Sequence, residues 1–275
     1  MLIKNLMHRS LSILIAAMVL VLASCGGSQS GNKALTAADS ANMKAVEQNV
    51  KDVVYPLPTP FEMTKILNSI GVNYSSAILN PVDKAEKYFT EKSKAVNLGV
   101  YGADVAYAAT YDQKQDVKLY LQALKTLVDQ LGINIDYSKM LSDEFKEKIN
   151  NKDTLIRIIT STYSETYKDL RAKGNPELAA MMVTGMWTEV MYIATNISKD
   201  SYNNTQIVNM IAKQKDSYLK LLDLLASLDK NKDIKDLETK FLVLKPVYEK
   251  VDKGLYKEDY ELILKTIQEV RKSFI

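Results

Sequence analysis

Ala95-Val-Asn-Leu-Gly-Val-Tyr-Gly-Ala-Asp-Val-Ala-Tyr-Ala-Ala109 is the stretch from which the fold can be read. Apolar or small residues occupy most of its helical circumference, so it is expected to run through a core rather than over one. Gly99 and Gly102 each cost about 1 kcal/mol relative to alanine in a helix interior. That cost is intelligible if, with Ala103, Ala106 and Ala109, they form a small-residue surface that lets another helix approach closely. Against this background Asn97, Tyr101, Asp104, Tyr107 and Tyr111 recur at steps of three and four, which places them along one face.

A second stretch, Leu178–Ala194, has the same character. Gly185 lies mid-helix, the only tryptophan is Trp187, and Met181, Met182, Met186 and Met191 surround it in helical register. Glu189, Tyr192 and Asn196 form its polar face. At an offset of 85 residues, Asp104-Val-Ala-Tyr-Ala-Ala-Thr110 lies over Glu189-Val-Met-Tyr-Ile-Ala-Thr195, a pattern that suggests an old duplication. Two readings follow. In one, the two helices wall a buried pocket in which Asp104 and Glu189 face each other among tyrosines. In the other, each acid is satisfied structurally, by the tyrosine three residues on or by a cation from a neighbouring helix. The methionines around Trp187 read as core filling in both.

Outward from these segments the whole chain has helical punctuation. Gly71, Gly132, Gly174 and Gly254 each follow an amphipathic stretch, where a left-handed residue ends a helix. Thr59-Pro60-Phe61-Glu62, Asn80-Pro81 and Asn175-Pro176 carry the cap-then-proline signature of helix starts. Apolar residues keep helical spacing, as in Leu155, Ile159, Thr162, Thr166 and Leu170, or Ile263, Ile267, Val270 and Phe274. Helices are therefore predicted near 36–54, 60–70, 82–112, 114–131, 138–150, 153–173, 176–197, 204–229, 233–252 and 258–274. The third should break near Tyr88, and Pro246 should kink or split the ninth. Tyr55–Pro60 reads as a rigid extended turn. The expected architecture is an all-α multi-helix bundle, or a short helical-repeat array, forming a single domain over 36–275.

Composition excludes several chemistries. Among 275 residues there is one histidine, His8, and one cysteine, Cys25. A chain beginning at Cys25 has neither histidine nor a free thiol, which removes Ser-His-Asp and Cys-His catalysis, the usual zinc sites and disulfides. No cofactor or metal is expected. Asp229-Lys-Asn231-Lys-Asp233 imitates a calcium loop, but Ile234 stands where glycine is required and Lys240 where the bidentate glutamate belongs. Gly99-x-x-Gly102 has no preceding strand and no following Lys-Ser/Thr, so it is not a phosphate loop. Without Lys4 and Arg9 the chain has 34 basic against 33 acidic residues, which calls for no nucleic acid.

Residues 1–24 read as a secretory signal. Lys4 and Arg9 form its basic region and Leu11–Ala23 its apolar core, too short for the ~18–20 residues that span a bilayer. Leu22-Ala23-Ser24-Cys25 resembles the bacterial lipobox, which implies cleavage before Cys25 and its acylation as a membrane anchor. Residues 25–35 form a flexible glycine- and serine-rich tether. Gly26 stands where aspartate would signal inner-membrane retention, so by that resemblance the outer membrane is the expected destination. Because the tether lacks the acidic run that some bacteria use to bring lipoproteins to the cell surface, the periplasmic face is the expected one.

Tyr55-Pro-Leu-Pro-Thr-Pro-Phe-Glu62 and Asn97-Leu-Gly-Val-Tyr-Gly-Ala-Asp-Val-Ala-Tyr107 resemble segments of an uncharacterised family of all-helical lipoproteins of Gram-negative bacteria. The resemblance implies a fold and an address and brings no activity with it. The expected function is that of a lipid-anchored envelope protein whose helical body binds a partner protein or a small ligand, without catalysis. The alternative is an enzyme that works with carboxylates alone, a lyase or glycoside-cleaving activity centred on Asp104 and Glu189.

Overall fold

The computed structural model describes residues 60–135, 137, 142, 152–197, 201–228 and 231–275. Among them are ten α-helices and no strand. They are α1 (Pro60–Ser69), α2 (Glu91–Thr110), α3 (Lys114–Gln130), α4 (Lys152–Ala172), α5 (Pro176–Asn196), α6 (Thr205–Ala212), α7 (Lys215–Ala226), α8 (Lys232–Leu242), α9 (Lys245–Lys250) and α10 (Lys257–Lys272). The signal segment, Cys25, the tether, the helix expected at 36–54, Tyr55–Thr59 and nearly all of the helix expected at 138–150 lie outside the described residues.

The helix ends follow local rules. Gly132 and Gly174 take φ of 62° and 77°, and the chain turns back so that Ile133 N–H donates to the Val128 carbonyl and Asn175 N–H to that of Leu170. These are the bonds a left-handed residue makes possible at a C-terminus. Asp112 does the same work after α2 at φ 56°, without the glycine that would have announced it. The break expected near Tyr88 is present: Val82–Lys87 is a 3-10 turn, Tyr88 is extended, and α2 restarts with Thr90 as its cap. Thr90 Oγ1 accepts from Ser93 N–H while Ser93 Oγ accepts from Thr90 N–H, a reciprocal pair that satisfies two otherwise free donors. Pro246 splits the ninth predicted helix into α8 and α9, as expected.

One break was not legible. The helix predicted over 204–229 is two, α6 and α7, separated at Lys213–Gln214. No proline or glycine marks the point. Gln214 is buried, and its side-chain amide donates to the Met210 carbonyl at 3.2 Å and to Met63 Sδ of α1 at 3.1 Å. The turn is shaped by that distant packing.

α2 and α5 are the centre. Every residue of α2 from Ala95 to Thr110 is buried, and so is every residue of α5 from Ala179 to Thr195 except the half-buried Tyr192. The small-residue surface works as expected at two points. A Cβ at Gly99 would overlap the Met182 carbonyl oxygen and stand 2.7 Å from Met186 N, while one at Gly185 would overlap the Val96 carbonyl oxygen. The helices thus meet backbone to backbone. Gly102 is different, since a Cβ there would meet only the Tyr163 ring of α4 at 3.5 Å.

The direction of this pair follows from Asp104 and Glu189, whose carboxyls lie close enough to act on each other. Asp104 is five residues beyond Gly99 and Glu189 four beyond Gly185. In an antiparallel pair crossing at the glycines they would be about 13 Å apart along the axes, at 1.5 Å per residue. α2 and α5 therefore run parallel, which is why the two similar heptapeptides lie side by side. α1, α3 and α4 pack on α2, and α10 packs on α5.

Candidate functional site

The polar face of α2 meets the segment Val72–Pro81, which joins α1 to the 3-10 turn before α2. This segment has almost no regular structure, so its backbone groups need partners from elsewhere. Side chains supply them in sequence order. Tyr111 Oη donates to the Val72 carbonyl at 2.9 Å, and Ser75 N–H donates to Tyr107 Oη at 3.0 Å. Asn80 N–H donates to Asp104 Oδ2 at 3.2 Å, and Tyr101 Oη donates to the Pro81 carbonyl at 2.8 Å. From α3, Tyr120 Oη donates to the Asn80 carbonyl at 3.2 Å. Burial holds the Tyr101 and Tyr120 phenols far above their ordinary range, so both remain protonated donors. Tyr74 packs into the same row, stacked 4.9 Å from the Tyr107 ring, and its hydroxyl donates to Asp116 Oδ2 at 2.6 Å.

Asn97 also lies in this network. Its Oδ1 accepts from Asn80 Nδ2 at 3.2 Å, and its own Nδ2 donates to the Phe274 carbonyl at 2.7 Å. Asn80 Nδ2 further donates to Tyr88 Oη at 3.0 Å. The residues Asn97, Tyr101, Asp104, Tyr107 and Tyr111, singled out by spacing alone, are thus brought together on one face, where their immediate partner is the chain's own backbone.

On α5, Glu189 is fully buried and is held by Arg271 of α10: Nε donates to Oε2 at 2.5 Å and Nη2 to Oε1 at 2.8 Å. Arg271 Nη2 also donates to the Ile78 carbonyl at 3.2 Å, and its guanidinium lies 3.9 Å from the Tyr192 ring centroid. Burial works against the arginine's charge, but the Glu189 carboxylate more than offsets it and the pKa is raised. The forked pair therefore persists in a site shielded from water. Asn196 stands apart, at the end of α5, where its Oδ1 accepts from Gln268 of α10 at 2.7 Å.

Asp104 is also fully buried. Burial first, then the Glu189 charge, pushes its carboxyl well above the usual carboxylate range, with Arg271 opposing. Glu189 is raised too, by burial, while Arg271 and the hydrogen bond with Asp104 pull it back. The Asp104 partners are therefore Asn80 N–H and Glu189, and the tyrosine three residues on is bonded to Ser75 instead. Glu189 takes the neighbouring-helix cation of the structural reading.

Arg271, Asn80, Tyr88 and Tyr120 were not anticipated. Arg271 did carry a signal: it is four residues after Ile267 and eight after Ile263, on the apolar stripe of α10, where a charge needs a partner. Asn80 read only as a helix cap. The methionines and Trp187 are buried, with Trp187 edge-on to Phe241 at 5.6 Å and near Tyr218 at 6.0 Å. In the failed calcium loop Asn231 caps α8, its Oδ1 accepting from Asp233 and Ile234 N–H, while Asp229 and Lys230 lie outside the described residues.

Among the described residues there is no group of three or more His, Cys, Asp or Glu side chains placed to hold a metal ion, and no helix long and apolar enough to cross a membrane. A surface cleft of about 350 Å³ lies elsewhere, between α6, α7 and the turn at Val251–Asp252, lined by Asn209, Lys213, Lys215, Asp216 and Asp252. Compared with known proteins, the chain matches no family model, no curated protein and no solved structure.

Proposed function

We propose that this chain is a lipid-anchored protein of the bacterial cell envelope, held at the membrane through Cys25, whose helical body binds a partner protein or a small ligand without catalysis. The observation that carries the non-enzymatic part is the Glu189–Arg271 fork. Both Glu189 oxygens are occupied by a guanidinium, and both candidate carboxyls are at 0% exposure. A pair of acids working on a glycosidic bond needs an open gap between them for substrate and water. Here the space around them is filled by Asn80, Tyr101 and Arg271, which belong to the protein itself. The anchor part is supported by the lipobox resemblance and by the uniqueness of Cys25.

Metabolic labelling with a fatty-acid analogue tests the anchor: the wild type is expected to be marked, and Cys25→Ser unmarked and released from membranes. An unlabelled wild type or a labelled mutant removes it. A photo-crosslinker at Phe89, a residue 83% exposed, tests the binding role against one placed at Asp104. A discrete adduct is expected from the exposed position only.

A further inference from the structure

Two fully buried carboxyls, Asp104 and Glu189, face one guanidinium. Both Glu189 oxygens are taken by Arg271, which leaves one guanidinium to serve two carboxyls. Asp104 Oδ2 accepts from Asn80 N–H, but Oδ1, equally buried, has no N–H or hydroxyl donor. Beside the Asp104 carboxyl stands that of Glu189. Two ionised carboxylates are acceptors only and repel one another, whereas one proton between them converts the contact into a donor–acceptor bond and makes the three-residue cluster neutral.

We propose that Asp104 and Glu189 hold a single proton in the folded protein, and that this proton latches Val72–Pro81 onto the central helices, so that the latch loosens as the pH rises. Protonated Asp104 donates through Oδ1 to Glu189 and keeps Oδ2 for Asn80 N–H. Arg271 completes the latch from α10 through the Ile78 carbonyl. Loss of the proton leaves a buried negative charge between Asn80 and Glu189, and water must enter beside Asn80 to solvate it.

The groups facing Asp104 come from every side. Glu189 projects from α5 and Arg271 from α10, Tyr74 and Tyr88 from the segments before α2, Tyr101 from α2 itself, and Tyr120 from α3. α1 and α4 present uncharged groups to α2, Thr64 at Thr110 and Tyr163 at Gly102. Arg271 is thus the cation of the cluster, and the phenols, held protonated by burial, add no charge.

The direction of the pH effect follows from linkage. The folded carboxyl keeps its proton to higher pH than the unfolded one, so the folded state binds more protons once the pH exceeds the ordinary aspartate range. Stability is full below that range and falls as pH rises towards the folded value. Asp104→Asn mimics the protonated acid, with its Nδ2 donating to Glu189, and lacks the titration. On the full chain, the Tm of Asp104→Asn is expected to pull ahead of the wild type by roughly 3 °C for each pH unit above the ordinary aspartate range. Amide exchange at Asn80 should quicken with pH beyond its intrinsic base catalysis in the wild type only. Tyr107→Phe, which frees Ser75 N–H without touching the acids, should lower Tm equally at every pH.

Infrared spectroscopy of the wild type at neutral pH provides a measurement that needs no folded variant. The carbonyl stretch of a protonated carboxyl should be present, and should vanish in Asp104→Asn. Absence of that band, or a Tm difference that does not widen with pH, overturns the proposal.

Discussion

Around Gly99 and Gly185 the α2–α5 contact is made of backbone; little more than one turn further along, at Asp104 and Glu189, the same two helices meet through carboxyls. The first contact needs nothing from outside the pair. Missing side chains let the two backbones touch, and each glycine fits against a carbonyl of the partner helix. The second contact depends on the rest of the molecule. Its charge is balanced by Arg271 from α10 and a hydrogen bond comes from Asn80, on an irregular segment outside both helices. Close packing of two helices is a property of their own sequences, whereas satisfaction of a buried acid is a property of whatever the remaining chain brings to it. The two ends of one interface should therefore fail in different ways.

The largest effect is expected at the polar end. Glu189→Ala leaves the Arg271 guanidinium buried without its counter-charge and should cost about 3–5 kcal/mol, read by denaturant unfolding. A loss below about 1 kcal/mol would mean that Arg271 escapes to solvent and that the fork contributes little. Next comes the glycine contact. Gly99→Ala should cost about 3 kcal/mol, the upper part of the usual range for overpacking, even though alanine is the better helix former. A neutral Gly99→Ala would show that the helices separate easily, which would erase the contrast between the two ends. Asp104→Ala is expected to cost about 2 kcal/mol, since it strands the Asn80 N–H inside the protein. The additional outcome to watch is amide exchange, which should quicken across Val72–Pro81 and stay unchanged at Gly99. The smallest effect sharpens the comparison from within α2. Gly102→Ala meets only the Tyr163 ring at ordinary contact distance, so the propensity gain should win and stabilise by about 0.5–1 kcal/mol. If Gly99→Ala and Gly102→Ala behave alike, the direct backbone contact has no energetic role.

The part of the site on α2 was legible because a helix converts spacing into a face. Steps of three and four among Asn97, Tyr101, Asp104, Tyr107 and Tyr111 are enough to align them, and the apolar surroundings say that the face is buried. The partners of that face were not legible. Asn80 meets Asp104 and Tyr120 through its backbone N–H and carbonyl, which no side-chain pattern reveals, and its side chain meets Tyr88 and Asn97, which no local spacing connects to it. Arg271 offered a partial signal as a charge on an apolar stripe, but nothing local says which acid it meets across the molecule.

Read from the residues alone, the chain is all-helical, most helix ends are placed by glycine, proline and capping residues, and Ala95–Ala109 and Leu178–Ala194 are core helices. These are local matters: helix periodicity, backbone freedom at glycine and the missing N–H of proline act within a few residues of one another. The break at Gln214, the parallel pairing of α2 with α5, and the use of the tyrosine face to hold Val72–Pro81 were decided only in three dimensions. Each depends on groups far apart in the chain meeting out of water, where an unpaired hydrogen-bonding group is costly enough to select one partner among many.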